Sequence, residues 1–346
     1  MHLQNNRFKH FSYCLRFGGV LILTALIAGL GGILLHEFLD LIEYLVFGHG
    51  ETSTTQAVST KQFILIVLAG IISAILWCFL QRKNRQIISV KSQMKAENPA
   101  SRMPKLWIHL TNIFLQVASV GAGSPIGKEG APRELGALGA GRVSDYLKLT
   151  LQDRKLAIAC GASAGLAAVY QVPVASIFFA FETLGLGISV LNLISVSVTT
   201  ILASIVAGVV ISDAPLYETA QVTLDVKTAI LAMFLVVLIS PIAQLFRRLT
   251  QKAQAKKTTD PNVLWRLPLT FLLLASLSLI FPEILGNGAA LAQAVFDGMT
   301  VQYAAVIVVV KAFVVLLTLK KWRIRWNLDS LIFNGSSSGI SWCCAL

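Results

Sequence analysis

Lys128 and Glu129 stand side by side in GAGSPIGKEGAP (121–132), a glycine-rich break just after an apolar run. A carboxylate at membrane depth costs at least about 2.5 kcal/mol on insertion scales, so Glu129 must be stabilised there or used. Three chemistries compete for the stretch. A phosphate-binding loop requires G-x-x-x-x-G-K-[S/T]. Here Ala122 takes the place of the first glycine and Glu129 that of the hydroxyl, and a carboxylate repels phosphate. A solvated surface loop would simply leave both charges in water. The third chemistry is an anion site. Pro132 suits the first turn of a helix, where its missing N–H is no loss. A helix running on through RELGALGAGRVSDYL would aim free N–H groups and a partial positive charge at the break. The glycines at 121, 123, 127 and 130 let a ligand approach the backbone closely. Glu129, just ahead of that helix, can put its own carboxylate into the site, compete with an anion there, and leave when protonated.

The elements that must position this stretch are membrane helices. The chain has 346 residues, 55% hydrophobic and 13% charged, against about 25% charged in soluble domains. Apolar runs near the length needed to span a bilayer recur at Phe17–Leu35, Phe63–Leu80, Leu191–Val210, Ala229–Leu245, Leu267–Phe281 and Ala304–Leu319. Between 105 and 212 the apolar pieces are short and punctuated by Gly and Pro: Leu106–Val120, Leu135–Ala140, Leu156–Val169 and Val172–Leu186. Irregular backbone at membrane depth is tolerated only where protein buries it or it lines a wet cavity, and interrupted segments of this kind mark transporter binding sites. The expected fold class is an all-α polytopic membrane protein with broken and re-entrant helices.

The net charge of +12 does not point to nucleic acid. Lys and Arg concentrate at Arg82–Lys105, Arg142–Lys155, Arg247–Arg266 and Lys320–Arg325, whereas His49–Lys61 and Ser212–Lys227 are poor in them. This is the positive-inside pattern, and it places the N-terminus, with Arg7, Lys9 and Arg16, in the cytoplasm. Cys14, Cys78, Cys160, Cys343 and Cys344 have no metal-ligand spacing, and Cys160 in ACGASAG reads as a small packing residue. The histidines (2, 10, 36, 49 and 109) form no H-E-x-x-H. The expectation is therefore no enzyme, no metal and no cofactor.

GKEGAP resembles the G-[R/K]-E-G-P motif of the CLC chloride channel and transporter family. LAIACGASAGLAAVYQVPVASIFFAFE (156–182) is similar to the family's L-x-x-C/A-G-A-A-A-G-L-A-A-x-F-N-x-P-[L/I]-A-G-x-x-F-x-x-E, with Pro173 and Glu182 in register about fifty residues after Glu129. PEILGNG also resembles a stretch of the family's second half. The resemblance implies a CLC-like fold of two inverted repeats, homodimers with one pore per subunit, and anion sites made by helix N-termini. It makes Glu129 the gating glutamate, with Gly127, Lys128, Gly130 and Ala131 completing the anion-binding motif. Lys128 would balance local charge, chloride would be the transported ligand, and the location would be a bacterial inner membrane. The resemblance divides the chain into a cytoplasmic N-terminus (1–13), a first transmembrane repeat carrying the anion motif (14–212), a partial second repeat (213–320) and an aberrant tail (321–346).

Three departures bear on mechanism. Ala131 stands where the family has Pro, with Pro132 one residue later. The family's G-S-G-I-P serine motif is absent, and its place reads RQIISVKSQ, which makes Ser89 the candidate anion-contacting hydroxyl and Ser124 another. Proton-coupled members carry two adjacent carboxylates after the IFF stretch; here Glu182 is followed by Thr183, which cannot titrate. That favours a passive or weakly coupled chloride pathway over strict Cl⁻/H⁺ exchange, with a fluoride/proton antiporter as the alternative.

The end of the chain changes character. KWRIRWNLDSLIFNGSSSGISWCCAL (321–346) has three Trp, two Arg and two adjacent Cys, without membrane periodicity. The resembled family has a glycine-rich S-G-x-x-G-G-x-F-x-P-S segment here. Read one base out of frame, Trp322–Arg323 and Trp326–Asn327 must each encode Gly, four residues apart as that segment requires. The tail is therefore expected to be a frameshift product, the second repeat incomplete, and the truncated chain inactive.

Overall fold

In a computed structural model of the protein, residues 2–48, 58–80, 88–94, 105–211, 217–218, 225–254 and 263–321 are described. The described residues are helical throughout, apart from turns. The helices are α1 (His2–Phe47), α2 (Thr60–Leu80), α3 (Val90–Met94), α4 (Leu106–Gly121), α5 (Gly130–Tyr146), α6 (Leu151–Tyr170), α7 (Pro173–Glu182), α8 (Val190–Gly208), α9 (Val226–Gln254), α10 (Val263–Ser278), α11 (Ala289–Phe296) and α12 (Val301–Lys321), with a 3₁₀ turn at Pro282–Ile284. Five of them are long and apolar enough to cross a membrane, at Ser12–Phe47, Thr60–Leu80, Val190–Gly208, Val226–Thr250 and Val301–Leu319.

Two expectations are revised. The apolar run Leu267–Phe281 is not a full span, because α10 has 16 residues and stops at Ser278, where Pro282 begins the 3₁₀ turn. Arg142–Lys155 is not a long loop: α5 runs to Tyr146 and α6 starts at Leu151, because Thr150 caps α6 by accepting from the Asp153 N–H at 3.2 Å. The helix α1 runs continuously through residues 13 and 14. Most of the basic stretch Arg82–Lys105, the loop residues 49–57, and the tail beyond 321 lie outside the described residues.

The centre of the fold is α6. Its residues Ala157, Ile158, Ala159, Cys160, Ala162, Ala164, Ala167 and Ala168 are fully buried, and it packs against α1, α3, α5, α7 and α8. Small side chains allow this crowding, because without a hydrophobic drive between helices in lipid it is close van der Waals packing that joins them. A Cβ on Gly161 would lie 2.8 Å from the Gly136 carbonyl carbon, and one on Gly165 would lie 2.7 Å from that of Pro132. The backbones of α5 and α6 therefore touch, which fixes the start of α5. A bidentate pair from Arg154 Nε and Nη2 to the Asp145 carboxylate, at 2.6 and 3.2 Å, ties the other end of α5 to α6.

A second core joins α2, α4, α10 and α12 around Trp77, Phe271, Leu267, Leu274 and Ile307, and it includes Ile126 of the glycine-rich break. The break is thus anchored from the second half of the chain as well as the first. By contrast α9 is apolar yet exposed along its length, with Ile230, Met233, Val236, Val237 and Ile242 each more than 60% exposed, as a lipid-facing helix would be.

Candidate functional site

The break between α4 and α5 turns at Gly123, whose φ of +97° only glycine adopts without strain. Its carbonyl accepts from the Gly286 N–H at 3.0 Å, so the PEILGNG segment is hydrogen-bonded to the break. Lys311, within α12, holds that segment from behind, with Nζ donating to the carbonyls of Glu283 and Leu285 at 3.3 Å each.

Glu129 is the residue immediately before α5, in helical conformation, and its side chain makes no cap hydrogen bond. Glutamate is too long to reach its own helix's N–H groups as Ser or Asp does. The carboxylate folds back instead over Gly127: a Cβ there would lie 2.8 Å from Glu129 Cδ and 2.9 Å from Oε1. The hydroxyl of Tyr170, at the end of α6, donates to Oε1 at 3.4 Å. The Glu129 side chain therefore takes up none of the free N–H groups of α5 as a cap. Behind it, Arg133 is buried, donates from Nε to the Glu129 carbonyl at 2.7 Å, and lies over the Phe179 ring at 5.3 Å. A buried guanidinium on the first turn of α5 adds to the positive end of the helix.

The residues singled out by sequence fall into two groups. Gly127, Lys128, Glu129, Gly130 and Ala131 are gathered at the start of α5, with Ala131 buried and the others half-buried. Ser124, in the same break, is fully buried with no hydrogen-bond partner for Oγ among the described residues. Ser89 immediately precedes α3 and is buried, but its hydroxyl accepts from the Ser92 N–H at 3.1 Å and pairs with the Ser92 hydroxyl at 2.8 Å. Glu182 ends α7 and is exposed, and Thr183 follows it as the helix terminus.

Sequence reasoning missed Tyr170 and Arg133. Tyr170 had a signal, a hydroxyl where the resembled motif has Phe. Arg133 had one too, a charged residue on the first turn of a helix starting at membrane depth. Polar residues of α4 that approach α5 were missed as well. Gln116 Oε1 lies 2.8 Å from where a Cβ of Gly130 would be.

Short, interrupted helices meeting at a helix start with a carboxylate beside it are the pattern of a membrane-transport fold. The chain belongs to the voltage gated chloride channel family, whose sequence model matches residues 81–321. Among curated proteins it is 33% identical over 180 residues to the voltage-gated ClC-type chloride channel ClcB of Escherichia coli K12 (DH10B) and of O157:H7, matching 50% of this chain and 42% of theirs. It thus spans less than half the length of these relatives. Among solved structures, a slow cyanobacterial Cl⁻/H⁺ antiporter superposes with a TM-score of 0.68 at 18% identity, over 90% of this chain and 74% of that one. A CLC-type fluoride/proton antiporter gives 0.69 at 19% identity, over 91% and 78%. These likenesses establish the fold, which is that of CLC transporters.

Proposed function

We propose that the protein, with its reading frame continued past Leu319, carries chloride, or another small anion, across the membrane through a site at the start of α5, with Glu129 as its gate. The observation that carries this is the posture of Glu129: half-buried, uncommitted to capping, folded over Gly127 and within reach of Tyr170. A charged carboxylate there occupies the place an anion would take at a helix N-terminus. Protonation removes its charge and with it the attraction that holds it, so flux should rise as pH falls. Gly127, Gly130 and Ala131 would offer backbone N–H groups, and Lys128 would balance charge. Ser89 and Ser124 would supply hydroxyls, Ser124 being the one without a competing partner. Chloride is preferred because the curated relatives are named chloride channels; the fluoride/proton antiporter shares the fold alone.

Thr183 beside Glu182 leaves no second carboxylate as a proton stopping point, which supports passive or weakly coupled transport over strict exchange. The expected setting of the frame-restored protein is a homodimer in a bacterial inner membrane, with the N-terminus cytoplasmic, acting without a cofactor and not as an enzyme. The test is reconstitution of the frame-restored protein into liposomes, with anion and proton fluxes recorded together. Glu129→Gln, which mimics the protonated gate, should keep anion flux and lose its acid dependence. An unchanged pH profile in that variant would remove Glu129 from the gate. Sustained uphill proton movement driven by a chloride gradient would reject weak coupling, and fluoride flux far above chloride flux would reject the preferred ion.

A further inference from the structure

Further along α5 from the gate is an ionisable group with no part in that reading. Glu134 is fully buried. Its Oε2 accepts from Asn112 Nδ2 at 3.0 Å and from Gln116 Nε2 at 3.3 Å. Its Oε1 lies 2.7 Å from Nδ1 of His109, which is fully buried too. His109, Asn112 and Gln116 sit three and four residues apart, on one stripe of α4, and all three converge on this carboxylate. Trp77 of α2 extends the row, donating from Nε1 to Asn112 Oδ1 at 3.4 Å.

Among the described residues Nδ1, Nε2 and Oε1 have no aligned hydrogen-bond partner, and at 2.7 Å a bare nitrogen lone pair and a carboxylate oxygen repel unless a proton lies between them, so the two side chains offer proton positions at Nδ1–Oε1 and at Nε2. With one proton the pair carries a charge of −1; with two it is an imidazolium–carboxylate pair of net charge zero. Five helical residues separate Glu134 from Glu129, an axial rise of about 7.5 Å, so this charge lies close beneath the anion site. Gln116 links the two places directly, holding Glu134 through Nε2 while Oε1 abuts Gly130.

We propose that His109 and Glu134 form a buried proton-binding site whose charge sets the anion affinity at the start of α5. Doubly protonated, the pair is neutral and an anion binds; with one proton, its negative charge opposes the anion. The inference rests on the reading of that helix start as an anion site. Other titratable groups among the described residues of the elements packed against the pair are Glu129, Arg133, Arg142, Asp145 and Tyr146 on α5; Tyr13, Cys14, Arg16, His36, Glu37, Asp40, Glu43 and Tyr44 on α1; and Lys61 and Cys78 on α2. Lys91 lies on α3, and Asp153, Arg154, Lys155, Cys160 and Tyr170 on α6. Glu129, which shares the anion site, is silenced in the test by Glu129→Gln.

The test is calorimetric titration of chloride into the full chain in detergent, in the Glu129→Gln background. It uses two buffers of different ionisation enthalpy, between about pH 5 and 9. Chloride binding should take up a fraction of a proton. That uptake should vanish with His109→Gln and with Glu134→Gln. The two variants should shift chloride affinity in opposite directions, Glu134→Gln tightening it and His109→Gln weakening it, each by about tenfold for a unit charge at this range in a partly buried site. A pair that merely braces α4 against α5 would weaken binding in both. Binding without proton uptake in the Glu129→Gln protein, or shifts of the same sign, overturns the proposal and leaves the anion site standing. Absence of chloride binding overturns the anion site and the proposal with it. If a pair variant fails to fold, the proton count on the Glu129→Gln protein decides alone.

Discussion

The Glu129 carboxylate lies so close over Gly127 that a Cβ on Gly127 would be 2.8 Å from Glu129 Cδ. The obstacle such a Cβ meets is the end of a movable side chain rather than backbone. Gly127→Ala should therefore fold as the parent does while displacing the carboxylate from its resting place. Anion flux at neutral pH should rise toward the acid level, and its pH dependence should flatten. Flux assays with the parent and the Glu129→Gln protein side by side check this; an unchanged pH profile in a folded Gly127→Ala protein would mean that the posture of Glu129 over Gly127 does not matter.

The contact between Gly165 and Pro132 is of the opposite kind. Here a Cβ would meet a backbone carbonyl, its carbon 2.7 Å away, on a helix that packing already holds. Gly165→Ala should force α5 and α6 apart and cost about 1–3 kcal/mol or more, the range for overpacking a close-packed interior. The measurement is the thermal midpoint in detergent, with Gly185→Ala as a comparison that meets no neighbouring atom but adopts φ +72°. Gly165→Ala should lower the midpoint by more than that comparison does.

Asp225 starts α9, its Oδ1 accepting from the Thr228 N–H at 2.8 Å and the Thr228 hydroxyl at 2.6 Å. These hydrogen bonds favour the charged form and hold its carboxyl below the ordinary 3.8. A carboxyl depressed on folding stabilises above its unfolded pKa, and that contribution is lost as pH falls through the folded value. The protection of the Thr228 amide, its exchange rate relative to the intrinsic rate at the same pH, should therefore hold at neutral pH and fall only in acid below about pH 4. Asp225→Ala should remove that acid step, and exchange that is equally slow in the variant would dismiss the cap.

Sequencing the gene across the Leu319 codon checks the frameshift expectation for residues 321–346. The neighbouring frame should spell the glycine-proline segment and continue as a long apolar reading. Any other sequence there makes the tail native.

Much was legible in the sequence because its causes are local or compositional. Apolar runs of bilayer length gave the membrane class, since hydrocarbon admits only backbone that satisfies itself. Gly-Lys-Glu-Gly ahead of Ala131 and Pro132 placed a helix start within a residue of where α5 begins, because helix entry is decided by a few neighbours. The small-residue run from 157 to 168 marked a crowded helix, and α6 is the most enclosed. What the sequence left open depends on which elements meet. Nothing local says that Gly161 faces Gly136, that Tyr170 returns to Glu129 from 41 residues away, or that His109, Asn112 and Gln116 converge on Glu134. A histidine and a glutamate in two apolar helices are costly apart and tolerable together, and only the packing of α4 on α5 brings them together.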